Sequence, residues 1–492
     1  YVRVTDDRLR GAALRAMDTS QRQGDFSGPS APGDGELTFF PDRYARLYQH
    51  WHEGLRDWCI SRQLWWGHRI PVWTCVCDDP GGLPDAPLAL VPSGHDLPMC
   101  DLQDDAFCVR MTRDPAEGKI ILMACVDHDR PDLESQLEMA GFAQDPDVLD
   151  TWFSSALWPM STMGWPDPEA WEETRGLLDT FNPTNVLCTG GEIITLWVSR
   201  MVMFNRYFLG RLPFRHVYIH PMVQDGHGQK MSKSLGNGVD PRDIIHSHGT
   251  DALRLVMAQI ATSTQDVRLP VEVVDPHDGE SFVPEWTTSP SGHVVAAAIQ
   301  RREQGEMVTA YGLFSGETVT AERPLAKNTS SRFDVGRNFA NKIWNASRFA
   351  LGRIESPQQV QDLAALPLPE RWMLTRLSQA TATISDSIDR YRFSDVAAAA
   401  YDIVWRDFCD WYLEAIKPSL SGDGMRQQVL ATVLDGLLRL LHPICPFVTE
   451  TIWHHLRAAT EPGLPGFAMP SADMLALAPW PSCDWVDEGS LT

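Results

Sequence analysis

A chain of 492 residues leaves room for about two to four domains with sizeable cores. Its 65 acidic and 42 basic residues give a net charge of −23, which excludes a general nucleic-acid coat. A local basic groove stays open, because screening confines each charge to roughly 8–10 Å. No apolar run approaches the ~18 residues of a membrane span, and the first residues lack the charged and apolar regions of a signal peptide. Ten cysteines scattered through a large acidic chain suit reduced thiols in a cytoplasm.

In chain order, residues 1–36 are polar and turn Gly/Ser/Pro-rich from Gly24 to Gly35, so they read as a junction. From Leu37 the pattern becomes structured, with Trp51, Leu55, Trp58 and Cys59 at helical spacing. Residues 74–145, rich in Asp, Pro and Cys, read as an irregular insert. A short apolar run at 185–189 ends on Gly190-Gly191 and leads into a long apolar helix from Glu192 to about Leu209, and a second strand follows at 216–220. Alternation of this kind predicts a parallel, doubly wound sheet with ligands at strand C-termini and helix N-termini. Residues 251–332 read as a connecting region with a further insert at 275–330. The chain from 333 to 492 reads as a helical bundle marked by Phe339, Ile343 and Trp344, then Trp372, Leu377, Ala380, Ile384 and Ile388, then Val429, Val433, Leu437, Leu438 and Leu441.

The densest chemical signal is Gln229-Lys230-Met231-Ser232-Lys233-Ser234-Leu235-Gly236-Asn237. Two ammonium groups three residues apart, on a loop flanked by glycines, suit a triphosphate, and the serine hydroxyls add donors. A solvated Lys/Ser turn is the plain alternative. The common phosphate loop G-x-x-x-x-G-K-[ST] does not occur here.

The whole string Lys-Met-Ser-Lys-Ser resembles the signature loop of the class I aminoacyl-tRNA synthetases. Trp58 to Pro71 (WCISRQLWWGHRIP) resembles the segment that re-enters the catalytic core after the editing insertion in the valine, isoleucine and leucine members. Asp147 to Pro159 (DVLDTWFSSALWP) resembles the next core segment. Thr189-Gly190-Gly191-Glu192 stands at the place of the ribose-binding turn, and Arg337 to Leu351 (RNFANKIWNASRFAL) is similar to the start of the anticodon-binding domain. The implied architecture is the second half of a doubly wound, Rossmann-like catalytic domain over 37–250, followed by an all-α anticodon-binding bundle over 333–492.

The resemblance implies ATP-dependent activation of an amino acid and its transfer to tRNA. Leu64-Trp65-Trp66-Gly67-His68 and Asp150-Thr151-Trp152-Phe153-Ser154-Ser155 are the valyl versions of their segments, so valine and its tRNA are expected. Trp65, Trp66 and Trp152 would wall the amino-acid pocket, with core packing the alternative for Trp65 and Trp66. Lys233 would stabilise the transition state, with Lys230 beside it; Met231, Ser232 and Ser234 would complete the ATP loop. Gly190, Gly191 and Glu192 would face the ribose. The family has Asp at this turn, so Glu192 is a departure, and a carboxylate at a helix N-terminus is its alternative role. Mg²⁺ is expected on the phosphates. Arg337, Lys342 and Arg348 would meet tRNA phosphates, or else be solvated helix charges, while Trp344 and Phe349 pack inside.

Related enzymes carry paired C-x-x-C zinc knuckles after the counterpart of Trp73. Here Cys75-Val76-Cys77, single Cys100 and Cys108, and Cys125-Val126-Asp127-His128 are irregularly spaced, so metal-free cysteines are expected; Cys75, Cys77, Cys100 and Cys125 are the ligand candidates if zinc is held. The family's His-x-Gly-His motif has no counterpart in the chain, and the editing domain is expected only as a remnant in residues 1–36. The chain thus reads as the C-terminal portion of a synthetase, expected to be inactive alone and monomeric when full length. The competing readings are a non-catalytic tRNA-binding relative and a piece of an isoleucyl or leucyl enzyme.

Overall fold

The computed structural model of the chain describes residues 1–77, 101–104, 107–113, 119–126, 130–262, 265–457, 463–482 and 485–491. It divides into two compact units, Tyr1–Tyr218 and Ile219–Thr492.

The first unit begins with a helix where the sequence suggested a loose junction. The Asp6 carboxylate accepts from the Arg8 backbone N–H to start it, a π-helical turn Asp7–Gly11 follows, and α1 (Ala12–Ala16) completes it. Leu9, Ala13, Leu14, Ala16 and Met17 are buried. Small alanines carry most of that stripe, which is why it looks polar in sequence. The Gly/Ser/Pro stretch after it is tied down by Arg206, which donates to the Pro32 carbonyl and pairs with Asp34 at 2.6 Å.

Strand β1 (Thr38–Phe40) runs into α2 (Arg43–Glu53). The expected irregular insert contains an antiparallel sheet: β2 (Val72–Cys77), β3 (Asp101–Asp104), β4 (Phe107–Arg113), β5 (Ile120–Val126) and, after α3 (Pro131–Met139), β6 (Ala143–Gln144), in the order β3-β4-β5-β2-β6. Ile120, Leu122, Ala124 and Val126 alternate inward onto Trp73, Leu137 and Phe142. The period-2 alternation of β5 was legible, but its pairing with β2 was not, because that strand lies more than forty residues upstream across an Asp/Pro-rich stretch.

Next come α4 (Thr151–Ala156), β7 (Thr184–Gly190), α5 (Ser199–Leu209) and β8 (Phe214–His220). Strand β8 is central, with β1 parallel to it on one side and β7 on the other. The two strands expected near 185–189 and 216–220 are therefore present, with a parallel neighbour from the segment before α2. Strand β7 is an edge and carries partly exposed Val186.

The α2–α5 contact holds a fully buried histidine. The Nδ1–H of His52 donates to the Tyr48 carbonyl (2.8 Å), and Nε2 accepts from the Ser199 hydroxyl (3.0 Å). Burial, followed by the field of Arg10, outweighs the Tyr48 bond and holds the imidazole at about 4 instead of 6.5. The unfolded chain therefore takes up a proton that the folded chain refuses. Stability contributed by this group is present above pH 6.5 and is lost as pH falls towards about 4. Urea denaturation across that window should show up to about 2–3 kcal/mol of loss that His52→Gln does not share; identical profiles would refute the assignment.

The second unit opens with β9 (Val223–Gln224), parallel to β10 (Val267–Arg268), and between them lie α6 (Pro241–His248) and α7 (Thr250–Ile260). A β-rich segment follows: β11 (Glu272–Val274), β12 (Ser281–Phe282), β13 (Trp286–Thr288), β14 (Val294–Ala296), β15 (Ile299–Arg302), β16 (Gly305–Val308) and β17 (Lys327–Thr329). Strand β11 sits between β12 and β17, and β13/β14 and β15/β16 are hairpins. The remainder is helical: α8 (Arg332–Leu351), α9 (Leu368–Asp389), α10 (Phe393–Asp402), α11 (Gly424–Leu441) and α12 (Pro446–Arg457).

Helix α11 is the centre of the bundle, buried from Gln427 to Leu441 without a break. Helix α8 buries Phe333, Gly336, Phe339, Ile343, Ser347 and Ala350, the i, i+3, i+4 stripe of an amphipathic helix. Trp344 lies one residue off that stripe, about 100° round the helix, and is exposed, contrary to the expectation that it packs inside. Phe349 does pack against the core.

Candidate functional site

The lysine loop is built on a buried carboxylate. Asp225 follows β9 at 2% exposure and accepts four hydrogen bonds: the backbone N–H groups of His227 and Gln229 (both 2.9 Å), Gln229 Nε2 (2.9 Å) and Asn237 Nδ2 (2.8 Å). Burial pushes this carboxyl up, but the bonds from Asn237 and Gln229 and the backbone N–H of His227 outweigh it and hold it below the ordinary range. Asn237 then faces the other way. Its Oδ1 accepts from the Ser232 N–H at 2.9 Å, so Asp225 and Asn237 close the loop into a ring around residues 230–236.

Within the ring, the Ser232 and Ser234 hydroxyls lie 3.1 Å apart, and the Leu235 N–H reaches Ser232 Oγ at 3.3 Å. Met231 is the anchor, packed on the cluster of Ile244, Val256, Leu269 and Phe333. Lys230 and Lys233 are exposed. Lys233 has no ion pair with a carboxylate among the described residues, so its charge is available to a ligand. Gly236 is required twice over. Its φ is +59°, and a Cβ there would stand 2.1 Å from the backbone nitrogen of Tyr311. The sequence pointed to the lysines and serines. It did not point to Asp225, whose signal was the Asp-Gly-His-Gly turn just upstream.

In the first unit, Gly190 ends β7 and Gly191 opens a 3₁₀ turn, Gly191–Ile193, that carries Glu192 on the surface. Gly191 passes so close to Tyr44 that a Cβ would meet the ring at 3.0 Å. The turn delivers a π-helical stretch, Ile194–Val198, into α5.

The tryptophans of the expected pocket differ in exposure. Trp65 is 98% exposed and Trp66 84%, so core packing is excluded for both; Trp152, on α4, is partly buried. The residue that joins their two segments is Asp150. It caps α4 through the Trp152 N–H (3.0 Å), accepts from the Trp58 indole (3.0 Å) and pairs with Arg62. Ser61 and Asp147 form a second tie between the same segments.

Of the zinc candidates, Cys75 and Cys125 do not converge. Cys125 stands opposite Val72 and Cys75 opposite Leu122, which puts the two side chains on opposite faces of the sheet, Cys75 buried and Cys125 exposed. Cys100 and His128 lie outside the described residues, and no group of three or more potential ligands occurs among those described.

Of the expected tRNA-facing cations, Arg337 pairs with Asp334 and Lys342 with Asp410 (2.9 Å), and Arg348 is exposed. The Asp410 bond raises the Lys342 ammonium above its ordinary value, and that ammonium also lies 4.8 Å over the Trp405 ring.

Residues 31–79 and 111–270 match the model of the class I tRNA synthetases (I, L, M and V), and residues 370–491 match the anticodon-binding domain of tRNA ligase. A valine–tRNA ligase of Rhodopirellula baltica is 40% identical over 458 residues, 89% of this chain and 41% of that protein. One from Thermosynechococcus vestitus is 38% identical over 490 residues, 97% of this chain and 41% of the relative. One from Thermotoga maritima is 37% identical over 430 residues, 87% and 37% respectively. The chain thus spans about two fifths of the length of these curated relatives. Among solved structures, a methionyl-tRNA synthetase of Mycobacterium tuberculosis bound by methionyl-adenylate aligns with TM-score 0.48 and 14% identity, covering 89% of this chain and 64% of its own; a likeness that distant decides nothing about the site. The lysine loop and the glycine turn stand within the stretches that match the class I tRNA synthetases, and much of the helical bundle stands within the stretch that matches the anticodon-binding domain of tRNA ligase, so residues 31–79 and 111–270 are of the first family and residues 370–491 of the second.

Proposed function

We propose that the chain is part of a valine–tRNA ligase, which activates valine with ATP and passes it to the tRNA for valine. The observation that carries this reading is the intact lysine loop. A buried, four-bonded Asp225 and a bridging Asn237 hold Lys230, Ser232, Lys233 and Ser234 on one exposed turn. Valine, rather than isoleucine or leucine, is supported by the relatives, all valine–tRNA ligases at 37–40% identity.

In this reading the valine carboxylate attacks the α-phosphate of ATP and pyrophosphate leaves. Negative charge builds on the phosphoryl oxygens, so fixed cations and N–H dipoles lower the barrier most. Lys233 supplies that charge, with Lys230 beside it; Met231 anchors the loop, and the hydroxyls of Ser232 and Ser234 shape it. Gly190, Gly191 and Glu192 are assigned to the ribose, and Mg²⁺ would travel with the phosphates. Trp65, Trp66 and Trp152 are assigned to the amino-acid pocket; the exposure of Trp65 and Trp66 leaves both indoles free to meet a ligand. Arg337, Lys342 and Arg348 are assigned to tRNA phosphates, which must displace Asp334 and Asp410 to reach the first two. Among the described residues no helix is long and apolar enough to cross a membrane.

Amino-acid-dependent ATP–pyrophosphate exchange tests the substrate. Valine is expected to be favoured over isoleucine by roughly 10²-fold before editing. Preference for isoleucine or leucine would overturn the assignment. Exchange by this chain alone is expected to be negligible beside that of a full-length relative assayed in parallel.

A further inference from the structure

We propose that the segment from β11 to β17, Glu272–Thr329, is a brace that fixes the lysine loop, with Asn328 as its main positioning residue. The segment lies outside both matched stretches, which end at residue 270 and resume at 370. Nothing in those matches gives it a task, yet it meets the loop at four places within the second unit.

Asn328, on β17 and largely buried, donates through one amide nitrogen to the carbonyls of Gly236 (2.8 Å) and Gly238 (2.7 Å). Gln229 exchanges two hydrogen bonds with the backbone of Val294 on β14, accepting from its N–H at 2.8 Å and donating to its carbonyl at 2.7 Å. The Trp286 ring on β13 meets the His227 ring edge to face at 4.6 Å. The backbone at Ala310 and Tyr311 closes on Gly236, where no side chain would fit.

These contacts grip both ends of the loop, and Lys230 and Lys233 stay exposed on the stretch between them. A Gly-rich loop carrying its own lysines would otherwise sample many conformations, and ordering them would weigh against any ligand that needs both charges in place. The brace orders the loop beforehand. Its value for catalysis rests on the ATP reading above; the fixation itself does not.

Two measurements on the chain test it without nucleotide: tryptic cleavage after Lys230 and Lys233, and amide exchange over residues 230–238. Asn328→Ala should raise both by about ten-fold, because two backbone carbonyls lose their donor. Trp286→Ala, at a residue 39% exposed, removes one ring contact without opening a buried site, and should raise them several-fold. Asn328→Asp adds a pH signature. As a carboxylate it repels the two carbonyls and loosens the loop; as pH falls and it takes a proton it becomes a donor, and loop protection should return, after correction for intrinsic exchange. Unchanged loop rates in all three variants would overturn the proposal. So would an increase spread evenly over the second unit, which would mark Asn328 as a general packing residue. Failure of the nucleotide reading would show instead as a loop that ATP does not protect, with the effects of these variants intact.

Discussion

Lys233→Ala is expected to lower valine-dependent ATP–pyrophosphate exchange by roughly 10²–10³-fold, in whatever length of the protein supports the exchange. Lys233 is exposed and has no carboxylate partner among the described residues, so its charge is not already spent within the fold. The Asp225–Asn237 ring fixes the backbone on either side of it. Removing the ammonium should therefore leave the loop standing and delete only the charge that the proposed function assigns to the phosphates. The loss should fall chiefly on kcat, because the interaction strengthens as negative charge develops. Lys233→Arg keeps a cation but replaces a compact ammonium with a planar fork, and should recover only part of the rate. A kcat within about five-fold of the parent for Lys233→Ala would remove this residue from the mechanism.

Asp435→Ala is expected to destabilise the helical bundle by about 3–5 kcal/mol. Asp435 lies on α11, 1% exposed, and pairs with Arg439 one turn later at 2.6 Å; its other oxygen accepts from the Trp453 indole at 2.8 Å. Burial raises its carboxyl above the ordinary range in spite of Arg439. Truncation would leave the Arg439 guanidinium buried with only the carbonyls of Pro479 and Ala468 as partners, and would strand the indole of Trp453. The residual charge, more than the lost attraction, accounts for the size of the effect. Urea denaturation followed by tryptophan fluorescence should show the fall in midpoint. Asp435→Asn, which keeps an acceptor for the indole, should lie between the two. A loss below about 1 kcal/mol would mean that water reaches this pair and that its burial is not what stabilises the helix.

The two effects differ in kind, and they separate function from folding. Lys233 lies on a surface loop whose shape other residues hold, so its loss should leave stability unchanged. Asp435 is far inside the bundle, so its loss should reach the proposed tRNA binding only by loosening α11 and α12.

By itself the sequence determined the chemistry-bearing strings and the broad order of elements. Lys230 to Ser234, the Gly190-Gly191 turn, the strands near 185–189 and 216–220, and the helices from Phe333 onward rest on local periodicity and on contiguous motifs, which need no partner to be read. Four features depended on residues distant in the chain, and only the tertiary structure decided them. The sheet of β2 to β6 forms because Val72–Cys77 finds Ile120–Val126 across a long gap, and a strand alone does not announce its partner. Residues 7–16 became part of a core because α5 offered an apolar face to a stripe of small alanines. Trp65 and Trp66 lie in solvent although hydrophobicity alone would bury them. The bonds that hold the lysine loop come from Asp225, Asn237 and, ninety residues on, Asn328; hydrogen bonds between side chains and distant carbonyls leave no period in a sequence.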